Sequence, residues 1–258
     1  MKPTLAVPLC CAAALLAGCT KGGTEKQPVE SKQDKPPAYF LVDPATAGTI
    51  AGTIRFTGPK PRLKPIDMSS DPACVEAHHG KAYDESLVVG RNGAIAGAFV
   101  YIKTGLEGKQ FETPATPLEM DQRGCTFSPR VLGIQAGQPL RIVNSDPVTH
   151  NIHPLAEVNR EWNHSQGAGE PPIIRRFPRP EVMIPVKCNI HSWMHAFIGV
   201  VAHPYFAVTG GDGAFQIGNV PPGDYTLQVW HEKLGTQDRN ITVTASGKVQ
   251  ADFTLKGE

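Results

Sequence analysis

Cys188, His191 and Met194 stand at the spacing C-x2-H-x2-M within Lys187-Cys188-Asn189-Ile190-His191-Ser192-Trp193-Met194, which puts a thiol, an imidazole and a thioether on one short stretch. Sulfur donors with imidazole nitrogen suit a soft metal, copper above all, over the oxygen-seeking cations. A second imidazole would complete a His2Cys set with a distant Met. It is available upstream, where an apolar run from Pro139 enters a polar loop that ends in His150-Asn151. Two other histidines compete for places in the set: His153 with His150, and His195 with the thioether directly before it. Taken singly, each residue has a plainer explanation, Cys188 as a small buried hydrophobe, His191 as a hydrogen-bonded loop residue and Met194 as core packing. The ordered set is harder to explain in that way.

The elements that must hold these residues read as strands. With 26 Gly and 24 Pro, the apolar runs are short and separated by turn residues at regular intervals, which predicts an all-β chain. Strands are expected over Thr49–Phe56, Ala98–Ile102, Pro139–Asn144, Val182–Val186, Phe197–Ala202, Tyr225–Trp230 and Lys248–Leu255. In the last, Val249, Ala251, Phe253 and Leu255 alternate with Lys248, Gln250, Asp252 and Thr254, the pattern of a half-buried antiparallel strand. Asp71-Pro72 before Ala73–His79 predicts a short helix, with Asp71 as N-cap and proline in the first turn.

With the ligand loop, the upstream His-Asn and a Val-rich strand following, the chain resembles the cupredoxin (blue-copper) family, and in loop length its amicyanin members; plastocyanin-type loops place the Met farther on. The resemblance implies one type 1 copper held by His150, Cys188, His191 and Met194, with Asn151 tying the two ligand loops together. It also implies that His191 lies nearest solvent and offers its ring edge as an electron port, with Trp193 and Phe197 as an apolar docking patch. The fold implied for residues 90–204 is a Greek-key sandwich. Residues 205–258, where Val208–Ile217 runs into Val220-Pro221-Pro222-Gly223-Asp224-Tyr225-Thr226-Leu227, resemble a carboxypeptidase-regulatory-like or rhamnogalacturonan-lyase-middle-type β-sandwich. Such a sandwich normally opens on a glycine-flanked strand like Gly48–Phe56. The expected arrangement therefore pairs residues 45 to 66 with 205–258 and inserts the copper domain between them; a separate small C-terminal sandwich is the other possibility. The tail's resemblance carries no catalytic residues.

Met1-Lys2, an apolar stretch to Gly18 and the run Leu16-Ala17-Gly18-Cys19 resemble a bacterial lipoprotein signal, implying removal of residues 1–18, lipidation of Cys19 and export, with the outer membrane favoured by Thr20. Residues 19–44 then form a lipidated, polar tether, and 45–89 a β segment with the short helix. Once Cys10, Cys11 and Cys19 are set aside, Cys74, Cys125 and Cys188 remain in an oxidising compartment. A disulfide between Cys74 and Cys125 would leave Cys188 as the metal-bound thiolate; the alternative is a second metal site from Cys74, His78 and His79. With 25 basic and 24 acidic residues the chain has no basic footprint for nucleic acid, and it has no phosphate-binding GxxxxGK loop or haem-attachment CxxCH. The expectation is a membrane-tethered one-electron carrier, not an enzyme, serving periplasmic redox proteins. A copper chaperone or storage module and a structural or carbohydrate-binding surface lipoprotein are the alternatives.

Overall fold

A computed structural model describes residues 38–257. The expected signal, Cys10, Cys11, the expected lipidation site Cys19 and most of the expected tether lie outside the described residues. The chain runs through β1 (Gly48–Thr57), α1 (Pro72–Ala77), β2 (Phe99–Thr104), β3 (Leu118–Arg123), β4 (Thr126–Ser128), β5 (Val131–Gln135), β6 (Leu140–Asn144), β7 (His150–Pro154), β8 (His164–Gln166) and β9 (Ile173–Arg175). It continues through β10 (Glu181–Lys187), β11 (His195–Val201), β12 (Phe206–Val208), β13 (Ala214–Val220), β14 (Gly223–His231), β15 (Gly235–Val243), β16 (Lys248–Gln250) and β17 (Phe253–Lys256). The fold is all-β, and among the described residues no helix is long and apolar enough to cross a membrane.

The strands make two sandwiches. In the first, the sheet β4-β3-β6-β9 faces the sheet β5-β11-β10-β7-β8 across a core that includes Met120, Leu140, Ile142, Ile152, Ile184 and Ile198. In the second, β1 lies among β13, β16 and β17 and faces the sheet β12-β2-β14-β15 across Ile50, Ile54, Val100, Ile102, Leu227 and Phe253. The N-terminal strand and the C-terminal segment thus share one sheet, with the first sandwich lying between them in sequence.

Three expectations need correction. The unit expected to begin at residue 90 does not hold at its start, because β2 hydrogen-bonds to β12 and β14 of the second sandwich. The reason lies in its own sequence: Val100 and Ile102 enter the second core, while Phe99 and Tyr101, on the opposite face, pack with Val131, Met183 and Val201 of the first sandwich. A strand buried on both faces reads as a continuous apolar run, as this one does. Residues 45–89 are likewise divided, since β1 belongs to the second sandwich while Met68, Cys74 and Ala82 enter the first core. Finally, Lys248–Leu255 is two short strands, both parallel to β1. The run is interrupted where Asp252 turns its carboxylate to accept from the Thr53 N–H and hydroxyl, at 2.8 and 2.9 Å. The alternation survives this break, with Ala251, Phe253 and Leu255 all buried.

α1 forms as its sequence requires. Asp71 caps it, accepting from the Ala73 and Cys74 backbone N–H groups at 3.0 and 3.3 Å, and Pro72 occupies the first turn. Cys74 is bonded to Cys125, at the tip of the β3–β4 hairpin, which ties the helix to the first sandwich.

Candidate metal centre

Strand pairing explains how residues from distant parts of the chain meet. β10 and β11 form an antiparallel hairpin whose last pair is Lys187–His195, so residues 188–194 are its closing loop. That loop is tight: the Cys188 N–H donates to the Met194 carbonyl at 3.2 Å, and the Met194 N–H to the His191 carbonyl at 3.0 Å. β7 pairs with β10 through Val186–Pro154 and Lys187–His153, which brings the start of β7, and with it His150, beside the loop.

One donor atom from each of His150, Cys188 and His191 lies within 4.8 Å of the others, and all three side chains are buried. The two Nδ1 atoms are 3.0 Å apart, and Cys188 Sγ is 3.8 Å from His191 Nδ1. Met194 is buried in the same loop. Of the competing histidines, His153 turns away to Glu161 and Asn189, and His195 is exposed and takes no part in the cluster. Asn151 links the two ligand segments, its N–H pointing to Cys188 Sγ at 3.5 Å and its side-chain oxygen accepting from the Asn189 N–H. The second metal site weighed at Cys74 is not formed: Cys74 is in the disulfide and His78 Nδ1 is bonded to the Gly124 carbonyl.

Two carboxylates determine which ring nitrogens face inward. His150 Nε2 is 2.8 Å from Asp146 Oδ2, and His191 Nε2 is 3.0 Å from Asp71 Oδ2. A carboxylate at Nε2 keeps the proton there and leaves the Nδ1 lone pair as the donor, as in carboxylate–histidine–metal units. Burial opposes protonation of His150, but Asp146 and Cys188 raise its imidazole above the ordinary value. In the metal-free protein its Nδ1 therefore carries a proton directed at the His191 Nδ1 lone pair, 3.0 Å away, and at the Cys188 sulfur. A soft cation would take the place of that proton. Asp146 is itself held by the Gly124 and Cys125 N–H groups at 2.7 and 2.8 Å. Burial opposes its charge, yet these bonds and the one to His150 outweigh burial and hold the carboxyl below its usual range. Burial likewise pushes the Cys188 thiol up, but hydrogen bonding to His150 and to the His191, Asn151 and Ile190 backbone N–H groups draws it down to about 6. A thiol of that acidity is a thiolate at neutral pH, the form in which sulfur binds metal. The residues present therefore fit a soft-metal centre by donor type, by convergence and by the acidity of the thiol.

The expected solvent position of His191 is overturned. The residue is only 3% exposed, because Asp71 and the disulfide close over Nε2, with Cys74 Sγ 3.6 Å away, and Trp193 packs against the ring with centroids 5.1 Å apart. Trp193 and Phe197 do line one surface cleft, but His191 is not open to it, and Phe197 packs tilted at 57° against Trp230 of the second sandwich. Sequence reasoning took Asp71 for a helix cap alone and passed over Asp146. The i, i+4 spacing of Asp146 and His150 in one polar loop was a usable signal, whereas nothing local connects Asp71 with a residue 120 positions away.

Residues 197–256 match the carboxypeptidase regulatory-like domain model. No curated protein matches the chain. Among solved structures, the chain is similar to a copper-containing nitrite reductase from Thermus scotoductus, at 24% identity over 38% of this chain, with a TM-score of 0.31; it covers only 25% of that protein. It is also similar to an oxidised proline-to-glycine mutant of amicyanin, at 16% identity over 40% of this chain and 98% of the other, TM-score 0.31. A purple cupredoxin from Nitrosopumilus maritimus is 22% identical over 30% of this chain and 82% of its own, TM-score 0.26.

Proposed function

We propose that this protein is a one-electron carrier with a single copper ion, exported, anchored by lipid at Cys19 to the periplasmic face of a membrane, and serving redox proteins there. His150, Cys188 and His191 would hold the ion, with Met194 as a weak further ligand; copper there would supply a reversible one-electron couple. The observation that carries the reading is the convergence of two Nδ1 atoms and one acidic thiol, each imidazole backed by a carboxylate. The polypeptide's part is to keep that donor set fixed. Three of the four donors sit in a hairpin loop closed by its own backbone bonds, and the fourth begins a strand of the same sheet. Little then moves when charge changes, which keeps the barrier to electron transfer low.

A copper-holding protein without redox partners is a second reading, favoured by the cover over His191. Both are tested by loading the purified chain with Cu(II) beside a Cys188→Ala control. An intense visible thiolate-to-copper band, absent in the control and reversibly bleached by one electron, is the expected result. A band that reduction bleaches and reoxidation does not restore would favour storage. A colourless protein without stoichiometric copper would remove both readings.

A further inference from the structure

With His191 closed off, an electron must reach solvent by another route. Asp71, Cys74 and the disulfide block the ring on its Nε2 side, and Trp193 covers it on another, its indole tilted 39° to the imidazole at 5.1 Å. The indole is fixed by an Nε1–H bond to the Cys125 carbonyl at 3.1 Å, so it belongs to the same disulfide-tethered cover. Its outer part lines a cleft of about 540 Å³ between the two sandwiches, with Ile66 and Phe197 in the wall and Lys64 and Lys233 among the lining charges. Arg130 also lines it but is neutralised by Glu232 at 2.7 and 2.9 Å, which leaves the two lysines facing Asp84 alone.

We infer that Trp193 is the electron port of this protein, in place of the His191 ring edge, and that exchange takes place in the Lys64–Lys233 cleft with a partner that presents negative charge. The inference rests on the copper reading above. Tunnelling weakens steeply across saturated groups and gaps, and a π system packed against a ligand ring and lining an open cleft bridges that distance. No atom is transferred in the step: one electron leaves Cu(I), which becomes Cu(II), and reduces the acceptor by one.

Two small oxidants of opposite charge test it: hexacyanoferrate(III) and tris(1,10-phenanthroline)cobalt(III). With Trp193→Leu, oxidation by both should slow severalfold while the visible spectrum and potential stay those of the parent. Trp193→Phe, which keeps a ring but loses the N–H, should retain most of the rate. Reversing the cleft charges in Lys64→Glu and Lys233→Glu should slow the anionic acceptor and speed the cationic one, by a factor on the order of ten at low salt. If rates are indifferent to all four substitutions in a protein with an intact thiolate–copper band, the port lies elsewhere. If no band forms at all, the copper reading itself has failed. In the metal-free protein, His191 should resist carbethoxylation by diethyl pyrocarbonate while exposed His195 reacts; equal reactivity of the two would show that His191 is open and would overturn the inference.

Discussion

Asp71 shows how one side chain serves two ends. Its Oδ1 caps α1 while its Oδ2 holds the proton on His191 Nε2, which leaves Nδ1 free as a donor. Asp71→Asn separates the two roles. The amide oxygen can still accept from Ala73 and Cys74, but the amide NH2 turned to His191 donates, so the imidazole must accept there and carry its proton on Nδ1, inside the cluster. The expected outcome is copper affinity lower by about 10–100-fold, read by competition with a chromophoric chelator, with an unchanged melting temperature. An affinity equal to that of the parent would mean that Asp71 only caps the helix. At this scale the sequence was informative about ligands and poor about what orients them. Cys188, His191 and Met194 share one loop and reveal themselves by spacing, whereas Asp71 reaches the site only because α1 is tied by Cys74 to the β3–β4 hairpin.

Among the elements, strands were legible wherever burial is regular and misassigned wherever a partner strand decides. Ala98–Ile102 was recognisable as a strand from its unbroken apolar run, but that run shows burial on two faces without saying which sandwich provides the hydrogen bonds. Lys248–Leu255 showed its alternation, and its direction relative to β1 was not encoded there, since alternation is the same in parallel and antiparallel ladders. The close approach of this segment to β1 sets a further requirement. A Cβ at Gly52 would lie 2.1 Å from the carbonyl oxygen of Ala251, a buried residue in the break between β16 and β17 whose own N–H is bonded to the Ala51 carbonyl at 2.8 Å and which is thereby kept from swinging aside. Gly52→Ala should therefore cost at least about 3 kcal/mol in urea denaturation, the upper end of overpacking penalties. A loss below about 1 kcal/mol would show that the two strands can separate locally.

Over the whole molecule, the two sandwiches meet through Phe99, Tyr101, Phe197 and Trp230 and through the Arg130–Glu232 pair, so the second sandwich is a wall of the cleft beside the site as well as an appended tail. Its pairing with β1 was foreseeable from the glycine-flanked strand Gly48–Phe56; this contact between the sandwiches was not, because it joins faces with no common sequence period. His231 lies at the same junction. It is buried, and burial together with the nearby Arg130 charge draws its imidazole down to about 4 from 6.5. Its titration makes stability depend on pH in a definite direction. In the unfolded chain His231 takes up a proton as pH falls through 6.5, while the folded form stays neutral down to about 4. Unfolding is therefore increasingly favoured across that window, by about 3 kcal/mol in total, and below it the contribution stays constant. His231→Gln keeps an acceptor within reach of the Lys233 N–H, which bonds to His231 Nδ1 at 3.2 Å, and removes the titration. Urea midpoints measured from neutral pH to about pH 4.5 should fall less steeply in this variant than in the parent; the stability contributed by the depressed Asp146 carboxyl is lost only at lower pH, below the ordinary carboxylate value of 3.8. Parallel slopes in the two proteins would mean that His231 is solvated as readily folded as unfolded, and that the junction between the sandwiches is open to water.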